Sequence, residues 1–237
     1  MNRRKKLIIS ILLVILIGLT AVTVNMLFIP SGELSQGHKN ILVCAIDESE
    51  PRPGMGACDM AFIIELNNGK LVNYTPVYPS GLTHPSAEEP QEAQEQGAGP
   101  QLLLHDAFWY EDNEQSMKYA KEIVEYHEGI YIDAVVAINS EALDAILDAA
   151  NPLEINGELI YGSGIDFIRE GENEEGLSRG DAVLEMAKAT VESAKDPNKR
   201  SLMIEATLNQ YSKGNIIMTP QGAFVELLAS KGINFIF

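Results

Sequence analysis

No charged residue interrupts the chain between Leu7 and Ile29, and Arg3, Arg4, Lys5 and Lys6 stand immediately before that stretch. Its 23 residues would span about 34 Å as a helix, at roughly 1.5 Å per residue, against a hydrocarbon core of about 30 Å. Basic residues flanking a span stay in the cytoplasm, which places everything after Pro30 outside. A cleaved signal peptide is the competing reading. It requires a shorter apolar centre and a small-x-small cleavage site, whereas this stretch runs on through Met26, Leu27, Phe28 and Ile29. The sequence therefore predicts a cytoplasmic basic stub (1–6), a single transmembrane anchor (7–29), a linker (30–39) and one extracytoplasmic domain (40–237) at the cell membrane.

Charge narrows the partners. The chain has 17 basic and 34 acidic residues. Removing the four basic residues of the amino terminus leaves 13 against 34, a net charge of −21 for the exterior part. A surface of that sign repels phosphate backbones, so nucleic acid is excluded as a partner. Two cysteines, Cys44 and Cys58, lie where neighbouring strands could bring them together. An exterior location permits a bridge, and buried free thiols remain the alternative. With no histidine near them in sequence they do not make a zinc site.

The exterior part reads as alternating strands and helices. Asn40–Ile46 is a short, partly β-branched apolar run ending at Asp47, the pattern of a buried strand. Met60–Leu66 and Lys70–Val77 flank an Asn-Gly pair and predict a hairpin. Asn73-Tyr74-Thr75 is a glycosylation acceptor pattern. Residues 76–100 hold five prolines with Gln and Glu and predict a long loop, with a helical turn near Gln91–Gln96. Leu102–Trp109 returns to the core. Asn113–Glu128 has helical periodicity closed by Gly129, and Asp133–Ile138 is a second continuous apolar strand. Asn139 or Ser140 caps a helix over Glu141–Ala149, with Leu143, Ile146 and Leu147 facing in, and Leu153–Tyr161 suggests a small hairpin. Helices are expected over 179–194, with Val183, Met186, Ala187 and Val191 buried, and over 199–212 and 221–230. A strand is expected at 233–237. The fold class that follows is a single α/β sandwich domain with a mixed central sheet, preceded by one transmembrane helix.

Chemistry concentrates between the first two strands. Asp47 ends one strand and Asp59 opens the next, with Arg52 among Pro51, Pro53, Gly54 and Gly56 between them. Ligands of open α/β sheets gather at the carboxyl ends of strands. Two carboxylates on a rigid-ended loop suit a divalent cation such as Mg²⁺, and an arginine suits an anion. The plainer alternative is a tight surface turn that happens to carry charge. His84 and His105 are further donors, though histidines in loops are more often solvated. No Gly-x-Ser-x-Gly elbow, dinucleotide fingerprint or P-loop occurs.

Glu50-Pro51-Arg52-Pro53-Gly54-Met55-Gly56, the hairpin with Asn67-Asn68-Gly69-Lys70, and Asp133–Asn139 followed by Leu143–Leu147 and Leu153-Glu154-Ile155-Asn156-Gly157 resemble an uncharacterised family of membrane-anchored archaeal and bacterial proteins (domain of unknown function 4012), in its methanogen form. The order of elements is also similar, more distantly, to the LytR-CpsA-Psr family. Those proteins carry one amino-terminal anchor and an exterior α/β domain, and transfer glycopolymers from a polyprenyl pyrophosphate carrier to the cell wall with a divalent metal and several arginines. The resemblance sets Ala45-Ile46-Asp47 against that family's Gly-x-Asp strand end and Cys58-Asp59-Met60 against its Ser-Asp-Thr-Met. It sets Arg169 and Arg179 against two of the family's arginines. It thus implies Asp47 and Asp59 as metal ligands, Arg52, Arg169 and Arg179 as substrate-binding groups, and Arg169 and Arg179 as catalytic. Two departures stand out. Thr75-Pro76-Val77-Tyr78-Pro79 replaces an Ile-Pro-Arg-Asp, and Glu170, Glu172, Glu174 and Glu175 surround the late arginines. That much acid repels a pyrophosphate unless a metal intervenes.

Three functions meet these constraints. One is a transferase or hydrolase acting on polyprenyl-phosphate-linked glycan. Another is a non-catalytic envelope protein that binds a wall polymer or protein. The third is a scaffold that uses the 76–100 loop and the acidic surface.

Overall fold

The computed structural model describes residues 33–50, 52–155, 157–161, 179–223 and 226 of the chain. These residues form a mixed α/β domain around a five-stranded sheet ordered β3-β2-β1-β6-β9. The strands of that sheet are β1 (His38–Asp47), β2 (Ala57–Asn67), β3 (Lys70–Val77), β6 (Ala134–Asn139) and β9 (Ile216–Thr219). β1 pairs with β6 in parallel, and the other three pairings are antiparallel.

Continuous burial of both sheet faces explains the unbroken apolar runs. On one face Leu42, Cys44, Ile46, Ala61, Ile63, Val135 and Ala137 pack against α2 (Asn113–Glu128), through Met117, Ala120, Ile123 and Val124, and against Leu104 and Phe108. On the other face Ile41, Ala134, Val136, Ile216 and Met218 meet Ala142 of α3 (Ser140–Ala150) and Tyr211 of α5 (Pro197–Lys213). A third cluster joins Leu147 and Ala150 to the small hairpin of β7 (Leu153–Ile155) and β8 (Glu158–Ile160), and to Met186 and Ala189 of α4 (Arg179–Ser193). The Lys199 ammonium donates to the carbonyls of Ala150 and Pro152 at 3.0 and 2.6 Å. A cation there satisfies acceptors that the end of α3 leaves open.

Local chemistry sets the boundaries. Asn68 (φ 49°) and Gly69 (φ 68°) supply the two left-handed residues of the β2–β3 turn. The Asp112 carboxylate accepts the N–H groups of Glu114 and Gln115 to start α2, and Gly129 at φ 66° ends it. Asn139 is the residue that caps α3.

Several expectations are revised. The proline-rich stretch is not only a loop with a helical turn, α1 (Gln91–Glu95). It also contains β4 (Thr83–Glu88), which pairs with β5 (Gln101–Leu103), and it buries His84, Glu89 and Ala93. β9, an outer strand of the main sheet, was not anticipated. Val191 is exposed, and Ala189 takes the buried position on α4. Packing begins before the first strand, because Leu34 is buried. Both cysteines are free and buried, and the neighbouring Cys44 together with burial pushes the Cys58 thiol well above its ordinary value. The apolar stretch 7–29, Arg169, and the terminal strand at 233–237 lie outside the described residues. Among the described residues no helix is long and apolar enough to cross a membrane.

Candidate functional site

The two parallel strands end at the same edge of the sheet, and polar chemistry collects there. β1 finishes at Asp47 and β6 at Asn139. Glu48 bridges them: its Oε1 accepts from Asn139 Nδ2 and its Oε2 from the Ser140 N–H (3.1 Å) at the start of α3. A carboxylate at a helix amino terminus is favoured by the exposed N–H groups. Asp47 Oδ1 accepts from the Ser49 N–H at 2.7 Å and so turns the chain out of the strand.

The return into β2 is made by two glycines. A Cβ on Gly54 would lie 2.4 Å from the Phe108 carbonyl oxygen and 2.3 Å from that of Tyr110, while the Gly54 N–H donates to the Trp109 carbonyl at 2.8 Å. Gly56 has φ +136° and sits against the Asp47 carbonyl. The loop is thereby fastened to the segment 104–110.

Asp59 owes its position to a bulge. Ala45 pairs with Met60 and Ile46 with Cys58, so Asp59 is the extra residue of β2 at this step of the ladder. An extra residue in one strand breaks the alternation of faces and re-aims its side chain. Cys58 stays in the core, and Asp59 is only part-buried.

Opposite, the 3-10 turn Leu104–Asp106 presents two polar side chains while Leu104 and Phe108 anchor it in the core. His105 Nε2 lies 3.5 Å from Asp59 Oδ1 and 3.9 Å from Glu50 Oε1. Ligand atoms of Glu50, Asp59 and His105 all fall within 4.8 Å of one another. Behind them is Arg52, with its side chain 6% exposed. Its guanidinium pairs with Glu50 Oε2 at 2.8 Å and with buried Asp106, and packs over the Trp109 ring at 5.0 Å. The cation–π contact and the fork of carboxylates suit a planar guanidinium. Glu89 is also buried nearby. Its Oε1 accepts from the Leu103 N–H, its Oε2 has no hydrogen-bond partner, and burial raises its pKa against the pull of Arg52 and His105.

Glu50, Asp59 and Asp106 carry three negative charges against the single charge of Arg52. The arrangement is compatible with a divalent cation.

Of the residues singled out in the sequence, Asp59 and Arg52 enter this cluster. Asp47 stands at the end of β1, engaged with Ser49, and is not one of the three clustered ligands. Arg179 is the first residue of α4, and Arg169 lies outside the described residues. Glu50, Asp106 and Glu89 were not proposed as partners from sequence, whereas His105 was named there as a further donor and enters the cluster. The signal for His105 was its place beside Asp106, directly before the apolar Ala107-Phe108-Trp109. His84, by contrast, is structural. Its Nδ1 accepts the N–H groups of Ser86 and Ala87 at 3.1 and 2.8 Å, leaving Nε2–H to donate to Glu122 at 3.0 Å.

The fold has solved counterparts. TagV of Bacillus subtilis superposes with a TM-score of 0.52 at 11% identity, over 83% of this chain and 80% of that one. Protein gbs0355 of Streptococcus agalactiae gives 0.52 at 15% identity, over 83% and 74%. TagT of Bacillus subtilis gives 0.50 at 12% identity, over 84% and 75%. The likeness to LytR-CpsA-Psr proteins, TagV and TagT among them, is thus a distant one, and at these identities it is one of fold. No curated protein matches the chain. A family model described as "Protein of unknown function (DUF4012)" matches residues 36–171, and the chain belongs to that family.

Proposed function

We propose that this chain is a single-pass membrane protein of the cell envelope, its domain outside the cell, acting on phosphate-linked glycopolymer. The reaction class is attack of an acceptor hydroxyl on a phosphorus of a polyprenyl-pyrophosphate-linked glycan, with polyprenyl phosphate departing. The single observation that carries the reading is the Glu50–Asp59–His105 cluster at the carboxyl end of β1, on a fold shared with LytR-CpsA-Psr proteins. The uncharged stretch 7–29 behind a basic stub supports the anchor.

A bound divalent cation would neutralise charge that develops on phosphoryl oxygens during transfer. Glu50, Asp59 and His105 would hold it. Arg52, spanning Glu50 and Asp106, fixes the ligand loop against the 3-10 turn. Asp47 and the amino-terminal end of α4 with Arg179, together with Arg169, supply the remaining polar groups of the reading. Their roles are to orient the pyrophosphate and balance its charge.

One observation favours a second reading, a non-catalytic protein that binds a wall polymer or protein partner. The Arg52 guanidinium faces carboxylates and not open solvent, so it is not free to grip a phosphate.

Binding of a short-chain polyprenyl pyrophosphate to the full chain in detergent micelles separates the two. Calorimetry with and without a divalent cation should show cation-dependent binding that weakens at least tenfold in Asp59→Ala and Arg179→Ala. Absence of binding under every condition, from a folded protein, would sink the transferase reading and leave the polymer-binding one.

A further inference from the structure

We infer that the Glu50–Asp59–His105 cluster selects a cation of the zinc class over Mg²⁺ and Ca²⁺, with the buried pair Asp106–Arg52 serving as its outer support. The inference deepens the reading above by naming the cation of the same site. It stands on three features of the geometry.

The first is the donor set. Mg²⁺ and Ca²⁺ are bound by oxygen, whereas an imidazole among the ligands favours Zn²⁺ and its first-row neighbours. His105 directs Nε2 toward both carboxylates.

The second is spacing. Bonds of about 2.1 Å in a tetrahedron place neighbouring ligand atoms roughly 3.4 Å apart. The octahedron that Mg²⁺ demands, with bonds of similar length, sets them at about 3.0 Å. The separations from His105 Nε2, 3.5 Å to Asp59 and 3.9 Å to Glu50, lie nearer the tetrahedral edge than the Mg²⁺ one. Ca²⁺, with bonds of about 2.3–2.6 Å, gives edges of about 3.3–3.7 Å, so the donor set alone sets it apart. A cation held by these three side chains would have room for a further oxygen ligand, as catalytic rather than structural zinc sites do.

The third is the far side of the ring. A ligating histidine almost always gives its other N–H to a carboxylate or carbonyl. Here Nδ1 lies 3.3 Å from Asp106 Oδ1, and Asp106 is itself buried and held by Arg52. Arg52 Nη2, which can only donate, also forms a hydrogen bond to Nδ1 at 3.3 Å, so here Nδ1 accepts and Nε2–H is turned toward Glu50 and Asp59. Ligation takes the other tautomer, with Nδ1–H donating to Asp106 and the Nε2 lone pair facing the two carboxylates.

The test reads cation binding directly and needs no substrate, so its failure is distinct from failure of the phosphotransfer reading. The full chain in detergent micelles, stripped with chelator, is titrated separately with Zn²⁺, Mn²⁺, Mg²⁺ and Ca²⁺ by calorimetry. The expected result is one Zn²⁺ per chain, bound at least tenfold more tightly than Mn²⁺ and more tightly still than Mg²⁺ or Ca²⁺. His105→Gln should lower Zn²⁺ affinity at least tenfold while changing Mg²⁺ affinity little. Asp106→Asn, checked for an unchanged circular dichroism spectrum, should weaken Zn²⁺ binding by about 10- to 100-fold. If Asp106→Asn does not fold, the His105→Gln comparison decides alone. Mg²⁺ bound as tightly as Zn²⁺, Zn²⁺ affinity indifferent to His105→Gln, or no cation bound by the folded chain would each overturn the inference.

Discussion

Glu89 has a carboxyl oxygen without a hydrogen-bond partner, and its surroundings define a pH response. Burial raises its pKa, and the charges of Arg52 and His105 only partly offset that. The folded value therefore lies above the unfolded one, so the native chain binds this proton more tightly. Stability contributed by the protonated form is complete below the ordinary carboxylate range and is lost as pH rises through the folded value. Glu89→Gln should flatten that loss and leave the variant less sensitive to pH than the parent. Urea midpoints measured across the acidic range check this, and parallel pH profiles for the two proteins would refute it. At the same scale, Asp59 and Arg52 were legible in the sequence because they stand beside strand ends and turn-forming prolines and glycines. His105 was named only as a possible donor, and Asp106 not at all. They lie 53 or more residues from Arg52, and only the packing of Leu104 and Phe108 into the core turns them toward it. Glu89 was missed for a related reason: a proline-rich, acidic stretch gives no sign that one of its carboxylates is buried.

Among the elements, the loop between β1 and β2 is the piece on which the site depends. Its closure rests on backbone contact, since Gly54 lies where a side chain would strike the carbonyl oxygens of Phe108 and Tyr110. Gly54→Ala should cost about 1–3 kcal/mol in chemical denaturation, as overpacking against a fixed backbone does. Displacing the loop also moves Glu50 and Arg52, so the same variant should lose cation affinity. Unaltered stability and affinity would mean that the loop tolerates the shift. Elements with strong local signals matched expectation: the Asn-Gly hairpin, α2 between Asp112 and Gly129, and the two apolar strands β1 and β6. Those without such signals did not. β9 is a run of four residues, too short for periodicity to show, and it becomes a strand because the open edge of β6 receives it. β4 has a proline in it, which argues against a strand, yet it pairs only with β5, where few of its N–H groups are needed. The bulge at Asp59 leaves no trace in composition at all.

For the molecule as a whole, Cys44 and Cys58 report on integrity. Both are fully buried, and the raised pKa of Cys58 keeps that thiol protonated. A thiol-alkylating reagent at mildly alkaline pH should leave both unmodified in the native protein and modify both in denaturant, with the urea dependence of labelling following the loss of circular dichroism. Labelling of the native protein would show that β1 and β2 separate locally. The order of the central sheet has a consequence for biosynthesis. β1 lies in the middle, and its neighbour on one side, β2, follows at once. Its neighbour on the other side, β6, is completed only after the 62 residues that separate Val77 from Asn139 have been made. At about 5–20 residues per second, the ribosome leaves that edge of β1 open for roughly 3 to 12 s. During that interval the nascent chain offers unpaired strand to any neighbour. The run Ile41–Ile46 is therefore the segment that a chaperone, or an aggregate, would meet first.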